Sequence, residues 1–140
     1  MKTVIKNYFG QKLFAVSLLL LTAVMGSAFL YQQKEWKAPA SVEAKKNPLT
    51  ADAATLETGK KIYVSECQSC HGKKGKGDGT SAKDLDIPAG DFTKTTTQSQ
   101  SDGALYWKVS EGRKPMPSFK KKLNETQIWQ SIVYMRTLKQ

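Results

Sequence analysis

Hydrophobic and polar positions along this chain fall into two regimes. From Leu13 to Gln33 no residue is charged, and Leu13–Leu30 is mostly Leu, Ala, Val and Phe. Lys2, Lys6 and Lys12 come before it. A positive segment followed by an apolar one is the signature of an export signal. Gly26, Ser27 and Ala28 offer small residues for cleavage before Phe29. The eighteen residues of Leu13–Leu30 also fall within the roughly 17–25 that cross a bilayer as a helix. Tyr31 and Trp36 then stand at the exit, where an aromatic belt is expected. Residues 1–30 are therefore read as a signal peptide or a membrane anchor. Either way the three lysines stay inside, and the rest of the chain faces outward.

The pattern changes after this segment. Residues 31–53, with Pro39, Pro48 and several lysines, follow neither a helical nor a strand period. They are read as a polar tether, the alternative being a surface arm packed on the domain. The domain itself is placed at 54–140, and helical spacing recurs three times within it. Over 54–67, Leu56, Gly59, Ile62, Tyr63 and Cys67 share a face. Over 102–111, Leu105, Tyr106 and Val109 face inward, between a Ser101 or Asp102 cap and Gly112. Over 125–139, Ile128, Ile132 and Met135 follow a capping box of Asn124 and Gln127, and Tyr134 and Leu138 extend that face. No segment alternates as a strand would, so the fold is expected to be all-α.

Two long loops, 72–97 and 112–123, separate these helices. Three short helices support little core by themselves, and domains this small usually need a staple, a metal or another internal body. Cysteine usage limits the choice. The only two, Cys67 and Cys70, are three positions apart and cannot staple the domain as a disulfide framework. No cysteine closely follows the apolar segment, which excludes a lipid anchor there.

The pair lies in Cys67-Gln68-Ser69-Cys70-His71, the attachment pattern for haem c. Two thiols one turn apart reach two vinyl groups on one porphyrin edge, and the next residue lies under the iron. His71 is the only histidine in the chain. A thioredoxin-type dithiol would need strands around the motif, and a zinc site a fourth ligand. A plain structural disulfide also fits an exported chain. For a sixth ligand the candidate is Met116 in Lys114-Pro115-Met116-Pro117, where each proline holds the preceding residue extended. His/Met ligation closes the iron to substrates and raises its potential. The glycine loop 72–79 fails both phosphate-loop templates, and is read instead as a tight turn passing close to the porphyrin edge.

The motifs Cys67–His71, Gly75-Lys76-Gly77-Asp78-Gly79, Gly90-Asp91-Phe92-Thr93, Met116-Pro117 and a closing helix with Trp129 and Tyr134 resemble the class I cytochrome c family. The resemblance covers about Leu56 to Leu138 and is strongest with small bacterial mono-haem members. It implies short helices and long loops wrapped around one covalently attached haem c. It also implies that the first and last helices cross beside that haem, Gly59 and Tyr63 meeting Tyr134 and Leu138. A proline carbonyl would stand behind the proximal histidine, with Pro88 available for the role. The function implied is one-electron transfer between larger redox proteins, without catalysis. The alternative is a haem enzyme or sensor, or the cytochrome subunit of a larger oxidoreductase, with an open or exchangeable sixth position.

The formal charge of +10 adds an expectation about partners. Lys73, Lys74 and Lys76 follow the haem motif, and Arg113, Lys114, Lys120, Lys121 and Lys122 surround Met116. Such a basic rim would steer docking onto acidic redox proteins, unless it serves solubility alone. Nucleic acid is a poor partner for an exported protein. The expected location is the outer, periplasmic side of a bacterial cytoplasmic membrane, anchored by residues 1–30 or released after cleavage near Ala28.

Overall fold

A computed structural model of the chain describes residues 35–140. The leader expected over residues 1–30 lies outside them. The chain divides into residues 1–36 and 37–140, and the architecture is that of the second unit. Its helices are α1 (Ala40–Glu43), α2 (Ala53–Ile62), α3 (Gln68–His71), α4 (Thr95–Gln98), α5 (Asp102–Glu111) and α6 (Glu125–Arg136). A single 3-10 turn, Ala82–Asp84, interrupts the long loop after α3. Among the described residues there is no strand, only an isolated bridge between Arg113 and Met116. The all-α expectation holds.

Helix α2 starts where Asp52 accepts a hydrogen bond from the Thr55 amide at 2.8 Å, satisfying one of the orphan donors of a helix start. It does not stop at Ile62. The backbone widens into a π-helical turn over Tyr63–Cys67 and tightens again into α3, so one rod runs from Ala53 to His71. Ser101 caps α5 and Gly112 ends it. At α6 the Asn124 and Gln127 side chains and amides bond reciprocally, as the capping box requires.

The core forms where α2 and its π turn cross α6. Ile62 and Tyr63 bury against Ile128, Ile132 and Met135, with Leu105 and Val109 from α5 and Phe92 and Phe119 from the loops. Gly59 allows the close crossing. A Cβ there would run into the Gln130 carbonyl oxygen and lie 3.1 Å from the Tyr134 Cβ. The resemblance anticipated this contact, and Tyr63 stands 5.2 Å from the Tyr134 ring. Leu138 packs on the same core cluster and also lies close to Gly75. Gly59→Ala gains some helix propensity but must push a backbone aside, so a net loss of about 2 kcal/mol is expected. Urea unfolding measures it, and an unchanged midpoint would show that the crossing has slack.

Residues 37–49, expected within a polar tether, lie against the domain. Ala38 is buried, Leu49 packs on the core, and Ser101 donates to the Glu43 carbonyl at 2.7 Å. Asn47 donates to the Trp129 carbonyl at 3.1 Å. The arm is held by single apolar anchors and backbone acceptors, neither of which leaves a period in the sequence. At the other end of the chain Arg136 donates to Asp102 and to the carbonyls of Gln98 and Gln100. That fork joins α4, α5 and α6, and it fits the planar five-donor geometry of arginine.

Candidate cofactor-attachment site

The rod ending at His71 carries the three motif side chains over its last turns. Cys67 closes the π turn, Cys70 and His71 belong to α3, and Gly72 turns the chain away with a φ of 80°. Both cysteines hold free, half-buried thiols. Burial pushes the Cys67 thiol up to about 12. A reactive dithiol needs the opposite shift, so the thioredoxin-type alternative loses support. Among the described residues no three His, Cys, Asp or Glu side chains gather in a way that would hold a metal ion.

The imidazole of His71 is buried and oriented. Its Nδ1 lies 2.9 Å from the Gly90 carbonyl oxygen, which makes Nδ1 the protonated nitrogen and leaves the Nε2 lone pair to coordinate a metal. Burial lowers the His71 pKa, and the Gly90 bond acts in the raising direction. The ring is thus kept neutral, as a ligand must be. Pro88, the resemblance's candidate for this carbonyl, is displaced by Gly90 two residues later. Phe92 stacks on the His71 ring with centroids 4.3 Å apart and planes 18° from parallel. Neither partner was foreseen, although both residues belong to a motif that the resemblance used.

Glycine also allows close packing within the protein in the loop that follows. Gly75 has a φ of 73°, and a Cβ on it would lie 2.8 Å from Leu138 and 3.2 Å from Phe92. At Gly75 the turn comes close to the closing helix's tail and to Phe92. Below it, Tyr63 donates to the Gly72 carbonyl at 2.7 Å, pinning the end of α3 from inside the core.

Met116 sits in a tight turn with a cis bond between Lys114 and Pro115. Its amide donates to the Arg113 carbonyl at 2.9 Å, and its carbonyl accepts from the Arg113 amide at 3.0 Å. The side chain is half-buried and packs on the same apolar cluster that Cys67 borders. Ser118 donates to the Ser110 carbonyl at 2.6 Å, fastening this loop to α5. The donor set fits a covalently held haem: two thiols on adjoining turns, a neutral imidazole with its Nε2 available, and a thioether on a restrained loop.

Two of the lysines expected to form a basic rim carry acidic partners. Lys120 pairs with Glu111 at 2.7 Å and Lys122 with Glu66 at 2.6 Å. Lys73, Lys74, Lys76, Lys114 and Lys121 are exposed.

Residues 54–135 match a family model described as cytochrome c oxidase, cbb3-type, subunit III. A chain of the Kuenenia stuttgartiensis reducing HAO-like protein complex Kustc0457/Kustc0458 is 34% identical with a TM-score of 0.60. That match covers 81% of this chain and 54% of the other, so this chain spans about half the length of that relative. The KustC0563 c-type cytochrome is 26% identical with a TM-score of 0.52, over 59% of this chain and 98% of the other. No curated protein matches the chain.

Proposed function

This chain belongs to the cbb3-type subunit III family of cytochromes c, and from that premise we propose that it is a one-electron carrier. Its domain is a small class I-like cytochrome c, and the family implies covalently bound haem c. The proposal assigns one haem per chain, because two cysteines and one histidine suffice for a single attachment. Cys67 and Cys70 would hold it, and His71 and Met116 would ligate its iron. The haem supplies a metal that changes oxidation state by one electron. The protein's residues orient that metal, exclude water and bias its potential.

One observation carries the reading. His71, at the end of a Cys-x-x-Cys-His turn, is buried and fixed as the neutral tautomer by the Gly90 carbonyl. Met116 on a doubly hydrogen-bonded turn supports a closed sixth position, and hence a carrier over a catalyst. The sulfur-to-iron charge-transfer band of the oxidised protein tests this. Its absence, or rapid binding of carbon monoxide by the reduced protein, would favour an open iron.

The working place proposed is the outer side of a bacterial cytoplasmic membrane, with residues 1–30 as anchor or cleaved leader. Partners are proposed to be redox proteins with acidic docking faces. Two rim lysines are neutralised by neighbours, so steering is expected at the low end of the usual range. Raising ionic strength from about 0.01 to 0.15 M should slow transfer to an acidic redox protein about tenfold. Stopped-flow rates against salt measure it, and a flat profile would reassign the lysines to solubility. A second reading has its own support. A relative of which this chain covers about half belongs to a multi-protein complex, which favours permanent residence as a subunit over free shuttling.

A further inference from the structure

The attachment motif places His71 but does not fix how its ring is turned. The Gly90 carbonyl holds one ring atom, Nδ1, at 2.9 Å. A hydrogen bond tolerates bending of a few tens of degrees, and the ring remains free to tilt about that contact. A flat neighbour removes the freedom. Phe92 lies against the imidazole at 4.3 Å with an 18° interplanar angle, so tilting would drive one ring into the other.

Phe92 is itself tied down more firmly than burial alone requires. Its amide donates to the Gly75 carbonyl at 2.6 Å, and its carbonyl accepts from the Gln98 side-chain amide at 2.6 Å. The same Gln98 nitrogen donates to the Met135 carbonyl at 3.0 Å, and Arg136 donates to the Gln98 carbonyl at 2.7 Å. Helix α6 therefore grips Gln98, and Gln98 grips Phe92. Tyr63 supplies a further wall, meeting Phe92 edge-on at 6.2 Å and 66°.

We propose that Phe92, held by Gln98, is a positioning residue that sets the rotation of the His71 imidazole. The inference rests on the proposed ligation by His71 and deepens it. An imidazole donates π density in the plane perpendicular to its ring. Its rotation therefore decides which metal orbitals it meets, and with them the electronic anisotropy and the potential. The stack and the grip make the ring one conformer, which also lowers the rearrangement needed each time an electron arrives or leaves.

The test uses the full chain with haem attached, read by low-temperature EPR of the oxidised form and by midpoint potential. Phe92→Leu keeps an apolar side chain and removes the flat face. The largest g value should shift and broaden, with a shift in potential. Gln98→Ala leaves the ring but releases its backbone, and should move the spectrum the same way by less. Phe92→Tyr restores the flat face and should restore the native spectrum. Val133→Ala, a buried change outside the stack, should lower stability while leaving the g values alone. The proposal is overturned if haem-loaded Phe92→Leu keeps the native g values and potential, or if Val133→Ala moves them equally. Should Phe92→Leu fail to fold, Gln98→Ala decides by the same criterion. A native chain without covalent haem would overturn the ligation reading along with this one, whereas an unchanged spectrum in a loaded variant overturns this one alone.

Discussion

Replacing Cys67 and Cys70 together with alanine is expected to turn a permanent cofactor into a dissociable one. Denatured native protein should keep its haem, and the double variant should release all of it. The physical reason is effective concentration. A short covalent link holds a group near its site at millimolar levels, against micromolar levels in a dilute solution. That ratio is about a thousandfold, or about 4 kcal/mol of occupancy. For a domain whose total stability is expected to be about 5–15 kcal/mol, the loss is large. His71, Gly90 and Phe92 would remain in place to bind haem weakly. Mass spectrometry of the denatured chains decides the matter. A native chain at its bare polypeptide mass would end the covalent reading at once. The single variants should each retain one thioether and stay loaded.

Much of this fold was legible because helices write a period into sequence. Leu105 and Val109, or Ile128, Ile132 and Met135, recur at helical spacing and are buried as that spacing requires. Asn124 with Gln127 named the start of α6 to the residue. The π turn over Tyr63–Cys67 was not legible. One extra residue per turn shifts which side chains face inward without altering composition, and the pattern looked like continuous α-helix. Val64, within that turn, is left 50% exposed. The short helix α4 lay hidden in a run of Thr, Gln and Ser with no apolar stripe.

The site divides in the same way. Cys67, Cys70 and His71 are side chains in a fixed local spacing, so sequence alone places them together. Gly90 acts through its backbone carbonyl, and any residue type carries one of those. Nothing in its identity announces a bond to an imidazole nineteen positions away. Phe92 was visible as part of the Gly90–Thr93 motif and as an apolar residue in a polar loop, signals that suggest burial but not the ring it stacks on. The arm at 37–49 shows the converse limit. Its lysines and prolines suggested a tether, while Ala38, Asn47 and Leu49 carry its attachment. Ordering each residue costs about 1–2 kcal/mol, and a few well-placed bonds and two apolar anchors offset that cost without any repeating pattern.

Met116→Ala is the second large effect expected, and it separates carrier from catalyst. Three changes should appear together: loss of the sulfur-to-iron charge-transfer band, rapid carbon monoxide binding by the reduced protein, and a fall in midpoint potential. A soft thioether favours the reduced metal, and water or hydroxide in its place favours the oxidised one. Losing a hundredfold preference for the reduced state lowers a one-electron potential by about 120 mV. Stability should fall too, by about 1–2 kcal/mol, since the side chain is half-buried against the core and a fully buried methionine would cost more. The loop itself should survive. Its bonds run through the Arg113 and Met116 backbone and from Ser118 to Ser110, none of which needs the thioether. That independence makes the variant informative, because a spectral change with the loop intact belongs to the sulfur. A band that persists in Met116→Ala would assign the sixth position to another residue. If the native protein already lacks the band and already takes up carbon monoxide, the site is open by construction. Met116 would then be an apolar anchor of its loop, and the haem enzyme or sensor would replace the carrier.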